Sequence, residues 1–255
     1  MPNLFVLAGP NGAGKSTSAP QVLSGVRRVD EFVNADVIAR QDELSDIEAG
    51  RRTLERLEAL ARARRDIAFE TTLASRSLLP RIKAMQAAGY LFHLSFFWLP
   101  SADMAVQRVA QRVATGGHSI PEEVIRRRYE RGLENFFNGY ADAADSWVFV
   151  NNAGPPPGRR VARRPYGAAV DVSDNAVWNR LVTRYMKPRA EQGEVVSEQP
   201  QAAADPRKVF DADDIMDAVN RAVTEALRRH KARGESIVIW RDGQIVWLKP
   251  EEIDV

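Results

Sequence analysis

Short apolar runs alternate with longer segments of helical periodicity along the first part of the chain. The apolar runs that end in polar residues are Leu4–Ala8, Glu31–Asn34, Ile67–Glu70, Tyr90–Leu99 and Trp147–Asn151. The segments with apolar side chains at helical spacing are Lys15–Leu23, Glu43–Arg64, Ser77–Ala88, Ala102–Thr115 and Pro121–Tyr140. This alternation predicts an α/β fold with a doubly wound, mostly parallel sheet and helices on both faces. Ligands of such folds bind beyond the carboxyl ends of the strands.

The composition changes after Met186. Residues 188–208 are rich in Pro, Gln, Glu and Ala and contain no aromatic side chain, which predicts a linker. Beyond it, Phe210–Arg233 has a helical apolar stripe, and an Asp-Gly turn separates Ser236–Trp240 from Gln244–Leu248. We therefore divide the chain into a domain over residues 1–187, a linker over 188–208 and a small helix–hairpin module over 209–255.

Composition and charge exclude several classes of protein. The 255 residues include no cysteine, which excludes a disulfide scaffold, a zinc finger and a thiol nucleophile. The first residues lack the basic and apolar regions of a secretory signal, and no stretch reaches the roughly 20 apolar residues of a membrane span. A net charge of +2 does not argue for a membrane or a nucleic acid as partner. We expect a cytoplasmic protein.

The strongest local signal is a glycine-rich sequence between the first predicted strand and the first predicted helix. It fits G-x-x-x-x-G-K-[ST], in which glycines let backbone N–H groups surround phosphate oxygens at a helix amino terminus. In this pattern Lys15 reaches the β- and γ-phosphates and the Ser16 hydroxyl binds Mg²⁺. The alternative is a glycine turn with an incidental lysine. The predicted nucleotide-binding residues are Gly9, Pro10, Asn11, Gly12, Ala13, Gly14, Lys15, Ser16 and Thr17.

Missing motifs and strand-end carboxylates narrow the phosphate chemistry. The guanine-reading Asn-Lys-x-Asp of GTPases and the Leu-Ser-Gly-Gly-Gln of transporter ATPases do not occur. A small kinase needs a carboxylate near the acceptor hydroxyl. Asp36, after the second predicted strand, is one candidate, and a helix N-cap is its alternative role. Glu70, followed by Thr71 and Thr72, ends the third predicted strand, and an ordinary strand end is the alternative there.

Arginines on two predicted helices are candidates for the γ-phosphate. Arg108 and Arg112 lie four positions apart, and a Gly-Gly turn separates them from a second helix that carries residues 126–128, all arginine. This arrangement suits a lid that closes over the transferred phosphate, whereas a solvated basic face is the alternative. A further basic run at residues 159–164 predicts a loop, which is either solvated or able to hold a phosphorylated substrate.

Together these segments resemble the zeta toxin family of P-loop kinases, the toxic halves of bacterial toxin–antitoxin systems. The resemblance lies in AGPNGAGKST (Ala8–Thr17), FVNAD (Phe32–Asp36), FETTLAS (Phe69–Ser75) and a lid sequence from Arg108 to Tyr129. It implies transfer of the γ-phosphate of ATP or GTP, with Mg²⁺, to a hydroxyl of UDP-N-acetylglucosamine or a related sugar nucleotide. It also implies that Asp36 is the general base.

The resemblance completes the set of expected site residues. Those expected to be catalytic are Lys15, Asp36, Arg112, Arg127 and Arg128, with the choice among residues 126–128 open. Those expected to bind the acceptor are Asn34, Asp36, Glu70, Thr71 and Thr72, and the metal ligand is Ser16. The acceptor class stays open, because a kinase for another small molecule or for a polynucleotide 5′ end, and a non-enzymatic nucleotide switch, remain alternatives.

The carboxyl-terminal module resembles small antitoxin-like proteins, here fused to the kinase-like part. Residues 208–255 carry a net charge of −2 against +4 for the preceding part. An acidic helix could lie over the basic nucleotide cleft and restrain it, so the expected partner is this module or a separate antitoxin. A dimerisation or stability role is the alternative. Under the restraint hypothesis, burial of Trp240 and Trp247 would anchor the hairpin.

Overall fold

A computed structural model of the chain describes residues 1–26, 29, 31–34, 37–38, 46–154, 158–188 and 212–255. The strands are β1 (Asn3–Ala8), β2 (Glu31–Val33), β3 (Ile67–Thr71), β4 (Leu91–Trp98), β5 (Ser146–Asn151), β6 (Arg159–Arg164), β7 (Asp171–Val172), β8 (Ile237–Arg241) and β9 (Gln244–Leu248). The helices are α1 (Lys15–Val26), α2 (Asp46–Arg62), α3 (Leu79–Ala87), α4 (Ala102–Ala114), α5 (Glu122–Asn135), α6 (Asn175–Tyr185) and α7 (Ala212–Ala232).

Seven strands form one sheet in the order β2-β3-β1-β4-β5-β6-β7. The first five in this order are parallel, and helical crossovers join them along the chain, whereas β6 and β7 are antiparallel additions at one edge. The predicted mostly parallel α/β sheet is therefore confirmed. Strand β1 is the middle one of the five parallel strands, with β3 and β4 on its two sides, so the ends of β1 and β3 meet at the same edge.

The core follows from near-continuous apolar strands. β1 is buried along its whole length, as expected for a central parallel strand that is covered on both faces. On one side an aromatic group packs around Phe96, whose ring stacks on Phe149 at 5.0 Å and meets Phe136 at the same separation. These rings form the aromatic part of the core against β4 and β5.

The edge strands β6 and β7 and the helix α6 lie outside the predicted elements. The basic run at residues 159–164 is strand β6 rather than a loop. Arginines occupy four of its six positions and hide the apolar pattern, although Val161 and Ala162 are buried in the sheet. The predicted helix Pro121–Tyr140 likewise ends early, because Asn138 and Gly139 leave helical geometry in a π-helical turn at Phe136–Tyr140.

The predicted helix–hairpin module is present as α7, β8 and β9, followed by a 3-10 turn at Pro250–Glu252. We call these elements, residues 212–255, the tail. The predicted linker lies outside the described residues except for Pro188. The expectation that both tail tryptophans are buried is wrong for Trp247, which is 50% exposed. Of the helices in the described ranges, none is both long and apolar enough to cross a bilayer.

Candidate active site

The glycine-rich segment joins the end of β1 to the start of α1, as the phosphate-binding mechanism requires. Gly9 has φ 137°, and a Cβ there would lie 2.1 Å from the Phe97 carbonyl oxygen of the neighbouring strand. Gly14 has φ 83°, and a Cβ there would lie 2.7 Å from Asn152 Nδ2. Both positions need glycine for backbone conformation and for space. The backbone can therefore turn tightly against the sheet and present its N–H groups at the start of α1.

Asn152 supports this loop from behind, and the sequence analysis assigned it no role. The residue follows β5 and is buried, and its Nδ2 donates a 2.7 Å hydrogen bond to the carbonyl oxygen of Ala13. Its own backbone N–H donates to the Trp98 carbonyl. No local motif marks this asparagine, because its role depends on β5 lying beside β4. Asn152 thus links the sheet to the phosphate loop.

Four polar side chains that the sequence analysis assigned to the site meet between β1, β2 and β3. Ser16 Oγ donates to Glu70 Oε2 at 2.7 Å, and Asn34 Nδ2 donates to the same oxygen at 3.1 Å. Lys15 Nζ lies 3.6 Å from Glu70 Oε1 and donates to the Gly9 and Pro10 carbonyls at 2.9 and 3.0 Å. Glu70 is therefore directly beside the lysine and hydroxyl that the motif assigns to phosphate and metal.

The remaining expected acceptor residues occupy or follow the end of β3. Thr71 Oγ1 accepts a 3.1 Å hydrogen bond from the Leu73 N–H, which shapes the turn after the strand, and Thr72 is partly exposed beside it. Asp36, the expected general base, lies outside the described residues. Its near neighbour Asn34 is described and contacts Glu70, so the end of β2 lies at the same edge as the phosphate loop.

The expected lid arginines have different surroundings. Arg112, in the last turn of α4, lines a cavity beside the phosphate loop and donates to the His118 carbonyl at 3.0 Å. Its Nε is buried and has no hydrogen-bond partner among the described residues. Arg126 pairs with Asp103 at 2.6 Å and with Glu122 at 2.8 Å at an exposed position.

The other two arginines of this group lie next to Arg126 on α5. Arg127 is exposed and Arg128 is partly buried. Arg126 is held by two acids, and none of the three arginines lines the cavity beside the phosphate loop, so the choice among residues 126–128 stays a prediction.

Arg108 links the sheet to the tail. Its Nη1 donates to the Asn152 carbonyl at 2.8 Å, and its Nε donates to the Val238 carbonyl of β8 at 3.1 Å. Burial disfavours the charged form and lowers the pKa of Arg108 to about 10. In this position Arg108 holds β8 against the phosphate loop.

A cavity of about 280 Å³ lies between the phosphate loop and the tail. Its polar end includes Lys15, Ser16, Glu70 and Arg112. Its other wall comes from the tail, through apolar side chains of α7 and β8 that include Val223, Ala226, Leu227, Ile237 and Ile239.

The acidic side of the tail does not face this cavity. Asp213, in the first turn of α7, instead pairs with two arginines of strand β6. Its partners are Arg160 and Arg163, at the edge of the main sheet. The expected charge complementarity therefore operates at β6, whereas the tail lines the cavity with apolar side chains and with His230.

Comparisons with known proteins agree with this fold. An uncharacterized protein of Haemophilus influenzae is 30% identical over 126 residues, 48% of this chain and 88% of that protein. The crystal structure of AvrRxo1-ORF1:-ORF2 with ATP is 17% identical, covers 87% of this chain and 76% of its own, and has a TM-score of 0.55. The structure of the PezAT toxin–antitoxin system of Streptococcus pneumoniae is 12% identical, covers 89% of this chain and 88% of its own, and has a TM-score of 0.49.

The sequence profile described as an AAA domain matches residues 4–136. The matched region contains the phosphate loop, the Ser16–Glu70 contact and both arginine-bearing helices. The match covers more than half of the 255 residues and ends before β5. The chain therefore belongs to the AAA domain family whose profile spans this segment, and it has a P-loop kinase-like fold.

Proposed function

We propose that the protein is a phosphotransferase that moves the γ-phosphate of ATP or GTP to a hydroxyl of a sugar nucleotide, in the manner of the zeta toxins. The observation that carries the proposal is the meeting of Lys15, Ser16, Glu70 and Arg112 around one cavity at the amino terminus of α1. A phosphate-binding loop alone would fit many nucleotide-binding proteins. A cavity that also has a carboxylate and a second cation fits a site where charge moves during phosphoryl transfer.

In the proposed reaction the acceptor hydroxyl oxygen forms a bond to the γ-phosphorus while the bond from that phosphorus to the β-phosphate oxygen breaks. Asp36 takes the hydroxyl proton, and the nucleoside diphosphate leaves. Lys15 moves from the Gly9 and Pro10 carbonyls to the phosphate oxygens, which are stronger acceptors because they are charged. Arg112, and one of Arg127 and Arg128, stabilise the negative charge of the transferred group.

The residues present fit Mg²⁺. Ser16 Oγ and Glu70 Oε2 are hard oxygen donors 2.7 Å apart, and Mg²⁺ prefers such oxygens together with water. We assign Ser16 as a ligand and Glu70 as a carboxylate that holds the metal directly or through water. The ion, when bound, neutralises phosphate charge. Asn34 orients Glu70 through its 3.1 Å hydrogen bond.

The acceptor would lie on the side of β2 and β3 away from the tail. Asn34, Asp36, Glu70, Thr71 and Thr72 lie in or after these two strands and offer amide, carboxylate and hydroxyl groups to a sugar. The preference for UDP-N-acetylglucosamine rests on the resemblance to the zeta toxins.

The test is transfer of radiolabel from [γ-³²P]ATP and [γ-³²P]GTP with Mg²⁺. The acceptors are UDP-N-acetylglucosamine, other UDP-sugars, small-molecule alcohols and a 5′-hydroxyl oligonucleotide. We expect label on a UDP-sugar, and a loss of at least 100-fold in Lys15→Ala, because the lysine supplies charge to the transferred group. Lys83→Ala is the matched control, since Lys83 is exposed on α3 away from the cavity.

The outcomes separate the alternatives. Label on the oligonucleotide alone would replace the sugar-nucleotide acceptor by a polynucleotide end. Tight nucleotide binding without transfer to any acceptor would favour a switch over an enzyme. Asp36→Asn is expected to lower kcat about 100-fold or more with little change in nucleotide affinity. Normal turnover in a folded Asp36→Asn variant would remove the general-base assignment.

Two roles for the tail are compatible with its position beside the phosphate loop. The sequence favours restraint of the kinase by its own antitoxin-like module, or by a separate antitoxin. The alternative is that the tail contributes to nucleotide binding. Variants that change the tail wall of the cavity distinguish the two, because restraint predicts tighter nucleotide binding when that wall is disturbed and contribution predicts weaker binding.

A further inference from the structure

The cavity beside the phosphate loop has a polar end and an apolar end. Lys15, Ser16 and Arg112 lie at the first, whereas the wall at the second is made by Val223 and Ala226 of α7 and by neighbouring tail side chains that are apolar except for His230. A nucleoside triphosphate has the same division, with charged phosphates at one end and an aromatic base at the other. Binding sites for such ligands combine a mostly apolar lining with a few polar groups.

The tail belongs to the same core as the sheet. Five tail side chains, from α7 and β8, join the main apolar cluster of the chain and are at most 8% exposed; they are Ile215, Met216, Ala218, Val219 and Val238. Helix α7 packs along α1, which begins at the phosphate loop. Detaching the tail would expose all of this apolar surface to water. The tail is therefore a fixed wall of the cavity.

Polar contacts hold this wall at the end of β5. The N–H of Trp240 donates to the Ala153 carbonyl at 2.7 Å, and Gln111 Nε2 of α4 donates to the Ser236 carbonyl. Arg108 bonds to both Asn152 and Val238. The segment that supports the phosphate loop is thus tied directly to β8. Although this wall is tied to the loop, a cavity of about 280 Å³ remains between the two.

We infer that the tail completes the donor site, and that α7 and β8 form the wall against which the nucleoside base packs. The inference rests on the proposed function only in that the triphosphate binds at the phosphate loop. The base loses water when it packs against Val223, Ala226 and Leu227, which favours binding. Phosphates contact only the opposite end. The tail therefore contributes to affinity for a nucleotide and not to affinity for phosphates alone.

The test compares ATP with tripolyphosphate, which has the phosphates without the nucleoside. Ala226→Leu enlarges a side chain in the cavity wall of the full chain. Ala232→Leu is the matched control, because Ala232 lies on the same helix, is exposed and does not line the cavity. Val223→Thr is a second variant of nearly the same volume that makes the wall polar and preserves packing. Dissociation constants for both ligands are measured by titration calorimetry with Mg²⁺.

We expect Ala226→Leu to weaken ATP binding about tenfold or more by steric exclusion. Val223→Thr should weaken it roughly fivefold, because the base would pack against a polar hydroxyl instead of a methyl group. The dissociation constant for tripolyphosphate should stay within about twofold of the unmodified chain in all variants. Ala232→Leu should leave the dissociation constants of both ligands unchanged. Agreement between the two wall variants would support the inference even if one of them lost stability.

Two results would overturn the inference and leave the proposed function intact. One is unchanged ATP affinity in both wall variants, which would mean that the base binds elsewhere. The other is tighter ATP binding in Val223→Thr, which would mean that the tail obstructs the site. If the unmodified chain bound neither ATP nor tripolyphosphate, or if Lys15→Ala bound both equally well, the proposed function would fail first and the inference with it.

Discussion

Replacing Asn152 by alanine tests whether a residue far from the phosphate loop in sequence sets the shape of that loop. The substitution removes the 2.7 Å hydrogen bond from Nδ2 to the Ala13 carbonyl. It leaves the backbone hydrogen bonds of residue 152, to Trp98 and from Arg108, in place. The change therefore isolates one buried side-chain contact beneath the loop.

The expected magnitude follows from burial. Asn152 is 5% exposed and Ala13 is fully buried, so water cannot replace the lost donor. A buried carbonyl left without its partner costs about 1–3 kcal/mol of unfolding free energy. For a chain of this size a loss of about 2 kcal/mol lowers Tm by roughly 4–8 °C. The loop also loses its support beside Gly14, so ATP affinity should fall together with stability.

The assays are urea unfolding and calorimetric titration with ATP. Asn179→Ala is the matched control, because Asn179 is exposed on α6 and its replacement should change stability by less than about 0.5 kcal/mol. Asn152→Asp keeps the shape but sets a carboxylate against the Ala13 carbonyl, and it should be at least as destabilising as Asn152→Ala. If Asn152→Ala unfolded at the same urea concentration as the unmodified chain and bound ATP equally well, the proposed support of the loop would be wrong.

Two further predictions concern stability. Burial lowers the pKa of His93 from 6.5 to about 4, so below pH 6.5 the unfolded chain binds a proton that the native state does not. The unfolding free energy should therefore fall by about 3 kcal/mol as the pH drops from 6.5 to 4, and this group should contribute nothing above pH 6.5. Urea unfolding at a series of pH values should show a smaller change in His93→Gln. Asp213→Asn weakens the pairing of α7 with Arg160 and Arg163. Because Asp213 is exposed, the unfolding free energy should fall by less than about 1 kcal/mol, and the difference should disappear in about 1 M NaCl. A larger decrease that does not depend on salt would contradict a surface ion pair.

Elements built from contiguous residues were predictable. The phosphate loop from Gly9 to Ser16 is a local structure, because glycine conformations and the start of a helix depend on neighbours in the sequence. The parallel strands were also recognisable, since a strand covered on both faces needs an uninterrupted apolar run. The strand β6 was not, because four arginines hide its apolar pattern, and the charged ends of Arg160 and Arg163 find their partners at Asp213 and Asp171, far away in the sequence or in another strand.

The phosphate loop, the alternating strands and helices, and the helix–hairpin tail follow from patterns of neighbouring residues. Which distant residues meet depends on how these elements pack. The order of the strands brings Glu70 to Ser16 and Asn152 to Ala13. The docking of the tail leaves Trp247 half exposed and makes Ala226 part of the cavity wall. An apolar stripe predicts that a helix packs against another surface, because burying the stripe removes it from water. Which surface it packs against depends on the shape that the rest of the chain presents.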